Sequence, residues 1–355
     1  MLRLAFSIDH LESMGCTALA NLLKSPPSKI QMLKLRETRM DSSCIEILCN
    51  AIITNKSLQK LDLAETGDLS GSGCVSLSTV LSHPMCSLED LSLKDNEIGD
   101  EGMICLGSAL AINKTLRRLD LSNNDEISLA GWEEFSTCLA TPHSALKELI
   151  LERCNIDNEK ASVLFSALRE NTSLKILNIR ENEDFTLRGF FAFFHVLPGS
   201  KCAIEELCIP YGLDDEDMEH MWEIVLRALC DTSSIESTYS SNHIFHTCGV
   251  FDGMVELYED EYRILQEEIH TMLSMNKNPN KAEVARKKIL KCHFSEGNSG
   301  INALACMHET GMPHAFEWMG RDELGYSSMF RFVQSLPMLF DISRGQPAGS
   351  KKRKL

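Results

Sequence analysis

An α/β solenoid is the fold class this sequence predicts: strand-turn-helix units stacked with one parallel sheet on the concave side, helices on the convex side and a helical cap at the C-terminal end. Three observations predict it. An LxxLxL pattern restarts at Ile30, Leu58, Leu88, Leu116, Leu146, Leu174 and Ile204, with steps that alternate between 28 and 30 residues. Within a unit, two-residue alternation (Leu91, Leu93) gives way after Asn96 and Ile98 to apolar or small residues every fourth position, Gly102, Leu106 and Leu110. The first spacing is that of a strand and the second that of a buried helical stripe. No such unit can bury its own apolar face, so each must be stabilised by its neighbours.

The elements follow in order. Met1, Leu4, Phe6, Leu11, Gly15, Leu19 and Leu23 already fall on the template, so the chain opens within an array and no amphipathic cap precedes it. The expectation is an exposed core edge, either a truncated array or one arm of something longer, and open to a partner. Short units begin at Ile30, Leu88 and Leu146, and long ones at Leu58, Leu116 and Leu174. The long units carry an extra residue after position nine, in the segments ending at Leu69, Ile127 and Phe185, and another in an exit turn marked by Pro84, Pro142 or Pro198. A proline cannot continue the preceding helix.

Position nine leaves the strand, where a side chain can satisfy backbone groups of adjacent turns. Asn96, Asn124 and Asn182 suit that role, Thr38 and Thr66 fill it in part, and Cys154 and Gly212 fill it weakly. The unit at Ile204 keeps Leu207, Ile209, Trp222 and Leu226 but turns through acidic Asp214 to Asp217, a solvated loop without the glycine and spacing of a calcium loop. The next strand is expected at Ile235 to Ser240, where Thr238 and Ser240 replace leucines and the array decays.

Beyond it, Tyr258, Tyr262, Leu265, Ile269 and Met272 form an amphipathic stripe, and Asn280 with Glu283 has capping-box character before a second helix through Leu290. Two further helical stretches are expected near residues 303–307 and 327–336. The domain division is 1–232 repeats, 233–250 degenerate transition, 251–341 helical region and 342–355 flexible basic tail.

On these residues the chain resembles the ribonuclease-inhibitor class of leucine-rich repeats, in which two slightly different units alternate in a horseshoe, over roughly two thirds of its length. The segment 280–340 is similar to tails of leucine-rich-repeat families expanded in unicellular algae. That resemblance implies a fold but no single activity, since the architecture serves inhibitors, immune-receptor sensors and Ran GTPase-activating proteins. No catalytic residue is carried over.

The 355 residues hold a net charge of −16, which repels phosphate backbones and disfavours nucleic acid as a partner. There are 14 cysteines, of which Cys105, Cys138, Cys154 and Cys208 sit where the repeat wants a small apolar residue and read as core thiols. The N-terminal segment lacks a signal peptide's apolar region, and no apolar run approaches the roughly 20 residues of a membrane span. A soluble cytoplasmic protein is expected. The tail Lys351, Lys352, Arg353 and Lys354 resembles a nuclear-localisation signal and makes the nucleus a second expected address.

Asn55, Asn113 and Asn171 begin glycosylation sequons but share one phase of the repeat, so they are read as unmodified residues ending convex helices, where asparagine tolerates a left-handed backbone. Among chemical motifs, nucleophile-elbow, zinc-protease, phosphate-loop and dinucleotide patterns are missing, so no enzyme activity, cofactor or small-molecule substrate is expected. His243, His246 and Cys248, with Cys230, Cys292 and His293, are zinc-capable types without the spacing of a closed site, and no metal is expected.

Position three of successive strands runs Met32, Lys60, Asp90, Arg118, Glu148, Ile176 and Glu206, a ladder of alternating charge that needs no ligand, with Lys34 and Asp62, and Glu152 and Arg180, extending it. Its apolar interruption, Ile150, Ile176, Cys208, Pro210 and Tyr211 rimmed by Arg118, Glu148, Glu152 and Arg180, has the composition of a binding hot spot for another protein or for the chain's own C-terminal region. The function expected is a protein-protein interaction scaffold. A regulator of a Ran-like GTPase is the alternative, separable by whether the chain stimulates GTP hydrolysis.

Overall fold

A computed structural model describes residues 2–6, 10–25, 28–67, 69, 71–141, 144–198, 200–210, 218–248 and 260–294. Strands and helices alternate through the array: β1 (Leu2–Phe6), α1 (Ser13–Lys24), β2 (Ile30–Leu35), α2 (Ser42–Ile52), β3 (Lys60–Asp62), α3 (Gly71–Ser82), β4 (Asp90–Ser92), α4 (Asp100–Ile112), β5 (Arg118–Asp120), α5 (Leu129–Leu139), β6 (Glu148–Ile150), α6 (Asn158–Leu168), β7 (Ile176–Asn178), α7 (Leu187–Val196), β8 (Glu206–Cys208) and α8 (Met218–Leu229). After α9 (Ile235–Ser240) come β9 (Thr247–Cys248), α10 (Asp260–Asn276) and α11 (Lys281–Phe294). The nine strands form one open parallel sheet in sequence order. This is the α/β solenoid that the periodicity predicts, with the leucine-rich-repeat architecture that the resemblance implies.

Register follows the repeat position for position: Met32, Lys60, Asp90, Arg118, Glu148, Ile176, Glu206 and Thr247 are successive partners. The seven residues that open the units, Ile30 through Ile204, are each no more than 2% exposed, so the period counted in the sequence is the period of the core. Leu69, Ile127 and Phe185, displaced by the extra residue of the long units, are likewise buried. Helices pack closely on their predecessors. A Cβ at Gly189 would lie 2.5 Å from the Asn158 Oδ1 that accepts the Gly189 N–H, and glycine is what permits that approach.

The sequon asparagines do end convex helices, but not for the expected reason. Asn113 has φ −63°, and its side chain does the work. The Nδ2 groups of Asn55, Asn113 and Asn171 donate to Leu23, Leu81 and Leu139 of the preceding repeat at 2.8, 2.6 and 2.6 Å. Their Oδ1 atoms accept amides two and three residues on, such as Thr115 and Leu116 at 2.9 and 2.7 Å. All three are buried. Since a glycan would occupy the nitrogen that closes the repeat, intact mass of the native protein should show no glycan at these sites, and a glycan at any one of them would contradict this packing.

Left-handed backbone occurs instead at position eight, at Glu37, Glu65, Asp95, Asn123, Arg153 and Glu181, with φ from 52 to 61°, and at position ten in Glu97, Asn155 and Gly67. At Glu37, Glu65, Asp95, Asn123 and Arg153 the amide donates to a carbonyl of the next repeat, Glu37 N–H to Ala64 O and Glu65 N–H to Lys94 O among them.

The strand expected at Ile235–Ser240 is a helix. Ser234 caps it, its Oγ accepting from Ser237 N at 2.9 Å, and Thr238 Oγ1 donates back to Ser234 O, so the hydroxyls that spoil a strand support a helix here. The ninth strand lies later, with Cys248 against Leu207, and Phe245 fills the unit-opening position and packs edge-on to Phe193 and Phe194. Helix α10 packs on α8 and α11 on α9. Ile269, Met272 and Leu273 of α10 join the repeat core, and Asn280 Oδ1 accepts from Glu283 N at 3.2 Å to cap α11. Buried Lys288 of α11 donates to Leu229 O, at the end of α8, and to Asn242 O at 2.9 Å.

Candidate protein-binding face

The strand face is built by parallel register, which sets side chains of equal position side by side. Lys60 Nζ lies 2.8 Å from Asp90, and Arg118 reaches Asp90 at 3.2 Å, Glu148 at 3.1 Å and Asp120 at 3.5 Å. Burial works against the Arg118 cation, but Asp90, Asp120 and Glu148 outweigh it and hold the guanidinium above its ordinary range. Asp62 is shared by Lys34 at 3.6 Å and Arg36 at 2.7 Å. Such part-exposed pairs each contribute about 0–1 kcal/mol, so this half of the face is largely satisfied within the chain.

The ladder is interrupted at β6–β8. Ile176 is half-buried, with Glu148 and Glu206 as its strand partners, while Ile150, 9% exposed, pairs Asp120 and Asn178 one row away. The two isoleucines are therefore diagonal neighbours, and Ile176 is the more exposed of the two. Cys208 lies beside Asn178, its thiol donating to Glu206 at 3.4 Å and pushed up to about 11 by burial and then by Glu206. Glu152 accepts from Asn178 Nδ2 at 2.7 Å, and the Arg180 N–H donates to Asn178 Oδ1. Tyr211 and the tail Lys351, Lys352, Arg353 and Lys354 fall outside the described residues.

Two features of this region were not read from the sequence. Position two places Arg117, Lys147 and Lys175 on adjacent strands, each backbone amide donating to the preceding carbonyl of that row. Burial, then Arg117 and Lys175, hold the Lys147 ammonium below its usual range, while Lys175 is paired with Glu205. Position eight gathers Glu37, Glu65 and Asp95 beside Arg39 and Gly67 around a cleft of about 570 Å³. Counting down positions two and eight as well as three would have exposed both rows.

The zinc-capable residues near the array's end are drawn together but are engaged separately. Cys230 and Cys292 face each other, His293 Nε2 bonds Thr238 Oγ1 at 2.7 Å, His243 Nε2 meets Tyr239 O at 3.0 Å, and His246 Nδ1 bonds Thr247 Oγ1. No group of three potential metal ligands occurs among the described residues.

These histidines give the C-terminal end a pH response. Burial, then Lys288, lowers His243 to about 4, and burial lowers His293. The unfolded imidazoles take up protons below about pH 6.5 and the folded ones resist until lower pH, so stability here falls as pH drops from about 6.5 towards 4. A loss on the order of 2–3 kcal/mol is expected. Hydrogen exchange in α9–α11 should accelerate over that window well before exchange in β3–β6; equal acceleration throughout would count against the assignment.

Comparison with known proteins agrees with this geometry. The family model described as Leucine Rich repeat matches residues 85–107 and 113–136. NACHT, LRR and PYD domains-containing protein 14 of Homo sapiens is 29% identical over 211 residues, covering 59% of this chain and 19% of that protein. The mouse (Mus musculus) ribonuclease inhibitor is 30% identical over 206 residues, covering 58% of this chain and 44% of that one. The chain thus spans about a fifth of the first relative and under half of the second. A solved structure of leiomodin-1 actin-binding site 2 aligns over 79% of this chain and 99% of that one at 9% identity, with a TM-score of 0.20, too slight to build on. The fold is a leucine-rich-repeat solenoid, and in sequence the chain is similar to leucine-rich-repeat proteins of the ribonuclease-inhibitor-like class. No helix among the described residues is long and apolar enough to cross a membrane.

Proposed function

We propose that this chain is a non-catalytic scaffold that binds another protein through its strand face, centred on β6–β8. The observation that carries this reading is the break in the charge ladder: Lys60, Asp90, Arg118 and Glu148 pair with one another, whereas Ile176 presents apolar surface between two glutamates. A desolvated apolar centre ringed by charge is the arrangement that concentrates binding energy. Cys208 extends the centre, and Arg118, Glu148, Glu152 and Arg180 form its rim; Tyr211, assigned to the centre from the sequence, lies outside the described residues. The likeness to a ribonuclease inhibitor, named for the enzyme it restrains, supports the class of activity and leaves the partner's identity to experiment. Among the described residues, helices α10 and α11 pack on α8 and α9.

The test compares capture from native extract by wild type, Ile176→Lys and Asp90→Asn. Ile176→Lys should weaken retention of the specific partner by about 2 kcal/mol or more, roughly thirty-fold, while Asp90→Asn should change it little. Equal retention by all three would move the binding surface elsewhere. Ile150→Lys is a poorer probe, because at 9% exposure its ammonium also has to be accommodated by the fold.

A further inference from the structure

The junction between repeats and C-terminal helices holds two sulfur atoms with no role in the binding face. Cys230 follows α8 and is 2% exposed, its amide bonded to Leu226 O. Cys292 belongs to α11, 62 residues later, and is half-buried. Their Sγ atoms stand 3.5 Å apart in direct contact. A disulfide requires about 2.05 Å, so closure asks for an approach of about 1.5 Å, within the reach of small side-chain rotations. Inside the repeats Cys16 and Cys44 also meet, but both donate to Leu11 O and join two adjacent repeats rather than the repeats to the cap, while Cys74 and Cys154 donate to Leu69 O and Leu121 O.

We propose that Cys230 and Cys292 are a peroxide-responsive thiol pair whose disulfide fastens α11 to the end of the repeat array. The chemistry divides by exposure. Cys292, the more accessible sulfur, attacks hydrogen peroxide: an S–O bond forms, the O–O bond breaks, and hydroxide departs to become water. Cys230 then attacks the Cys292 sulfur, forming S–S and breaking S–O, and its proton leaves with the second hydroxide as water. Two thiols lose two electrons, and peroxide is reduced to two waters. The surroundings suit this order, since the hydrogen bond from Cys230, aided by Lys291 and Lys288 against burial, holds Cys292 below the ordinary thiol range, while that contact and burial push Cys230 up. A thiolate is the form that attacks peroxide, whereas Cys49, Cys138 and Cys154 are pushed up to about 12 by burial and stay inert. A bond across this junction shortens the loop that α10 and α11 can explore once they detach, so it resists local opening of the cap.

The test is peroxide treatment of the full chain, alkylation of remaining thiols, and non-reducing digestion with mass analysis. Expected are a Cys230–Cys292 linked peptide lighter by two hydrogen atoms, reversal by dithiothreitol, and amide exchange in α11 slowed about tenfold or more in the oxidised form. In Cys230→Ser, Cys292 should accumulate as a sulfenic acid captured by dimedone; in Cys292→Ser, Cys230 should stay reduced. The proposal is overturned if both thiols remain alkylatable while other cysteines oxidise, if Cys230 oxidises as fast without Cys292, or if exchange in α11 is the same in both forms.

Discussion

Leu119→Asp should abolish the cooperative unfolding of the repeat array. Leu119 is the middle residue of β5, wholly buried, with Leu91 and Leu149 as register partners. A truncation to Ala there costs about 2–5 kcal/mol through lost packing and the cavity left behind. Aspartate adds the burial of a carboxylate, and the nearest cation of the same strand, Arg118, lies on the opposite face and is already held by Asp90 and Glu148. The combined loss exceeds about 5 kcal/mol, comparable to the whole stability of many domains. Because each repeat contacts only its neighbours, the break propagates both ways, separating β1–β4 from β6–β9. Urea denaturation followed by circular dichroism checks it. Leu119→Asp should show no folded baseline, or two shallow transitions, where wild type shows one. A variant melting at the wild-type midpoint would mean that Leu119 is not a core residue.

Sequence and structure agree where one physical cause repeats. The unit-opening residues and the leucines or isoleucines of positions four and six are buried in every repeat from Ile30 to Ile209, while Leu4 and Phe6 of the first unit are only partly covered, so the spacing of the core is legible without a structure. Position nine is legible for the same reason: Asn96, Asn124 and Asn182 each serve the backbone of two turns, Thr38 and Thr66 serve one carbonyl of their own turn through Oγ1, and even Cys154 donates to Leu121 O at 3.2 Å. Position eight is not legible from residue preference. Glutamate and arginine are poor left-handed residues, and Glu37, Glu65 and Arg153 adopt φ near +55° because the next strand's carbonyls fix their amides, a tertiary cause that local preference does not record. Ile235–Ser240 fails for a related reason: counting the repeat forward assigns it to a strand, but Ser234 is a helix cap and the unit runs on to Phe245. The binding face is half legible. Register and charge pairing follow from counting, whereas the near-complete burial of Ile150 beside half-buried Ile176 depends on neighbours that the repeat template does not specify.

The asparagine ladder makes the second large prediction. Asn124 is wholly buried, and its Nδ2 donates to Leu121 O at 2.7 Å, Leu93 O at 3.1 Å and Ser122 O at 3.3 Å. Its Oδ1 accepts the amides of Ile98 at 2.9 Å and Asn96 at 3.2 Å, so one side chain ties the turn after β5 to the turn after β4. Asn124→Ala leaves two amides and at least one carbonyl without that partner in a site closed to water. At about 1–3 kcal/mol for each unsatisfied buried group, partly relieved by relaxation, a loss of about 3–4 kcal/mol is expected. Asn124→Thr should cost less, because Thr66 shows that a hydroxyl can still donate to its own turn's carbonyl at 2.8 Å. Asn124→Asp should cost most: it keeps the acceptor for Ile98 and Asn96, turns the donor into a second acceptor facing Leu93 O and Leu121 O, and buries a charge. Stability from urea denaturation should therefore fall in the order wild type, Thr, Ala, Asp, with exchange of the Ile98 amide accelerating in Ala and Thr but staying protected, relative to overall stability, in Asp. If Ala loses less than about 0.5 kcal/mol, or Asp proves as stable as Thr, the turns are held by their backbone alone and the side-chain ladder is incidental to the stack.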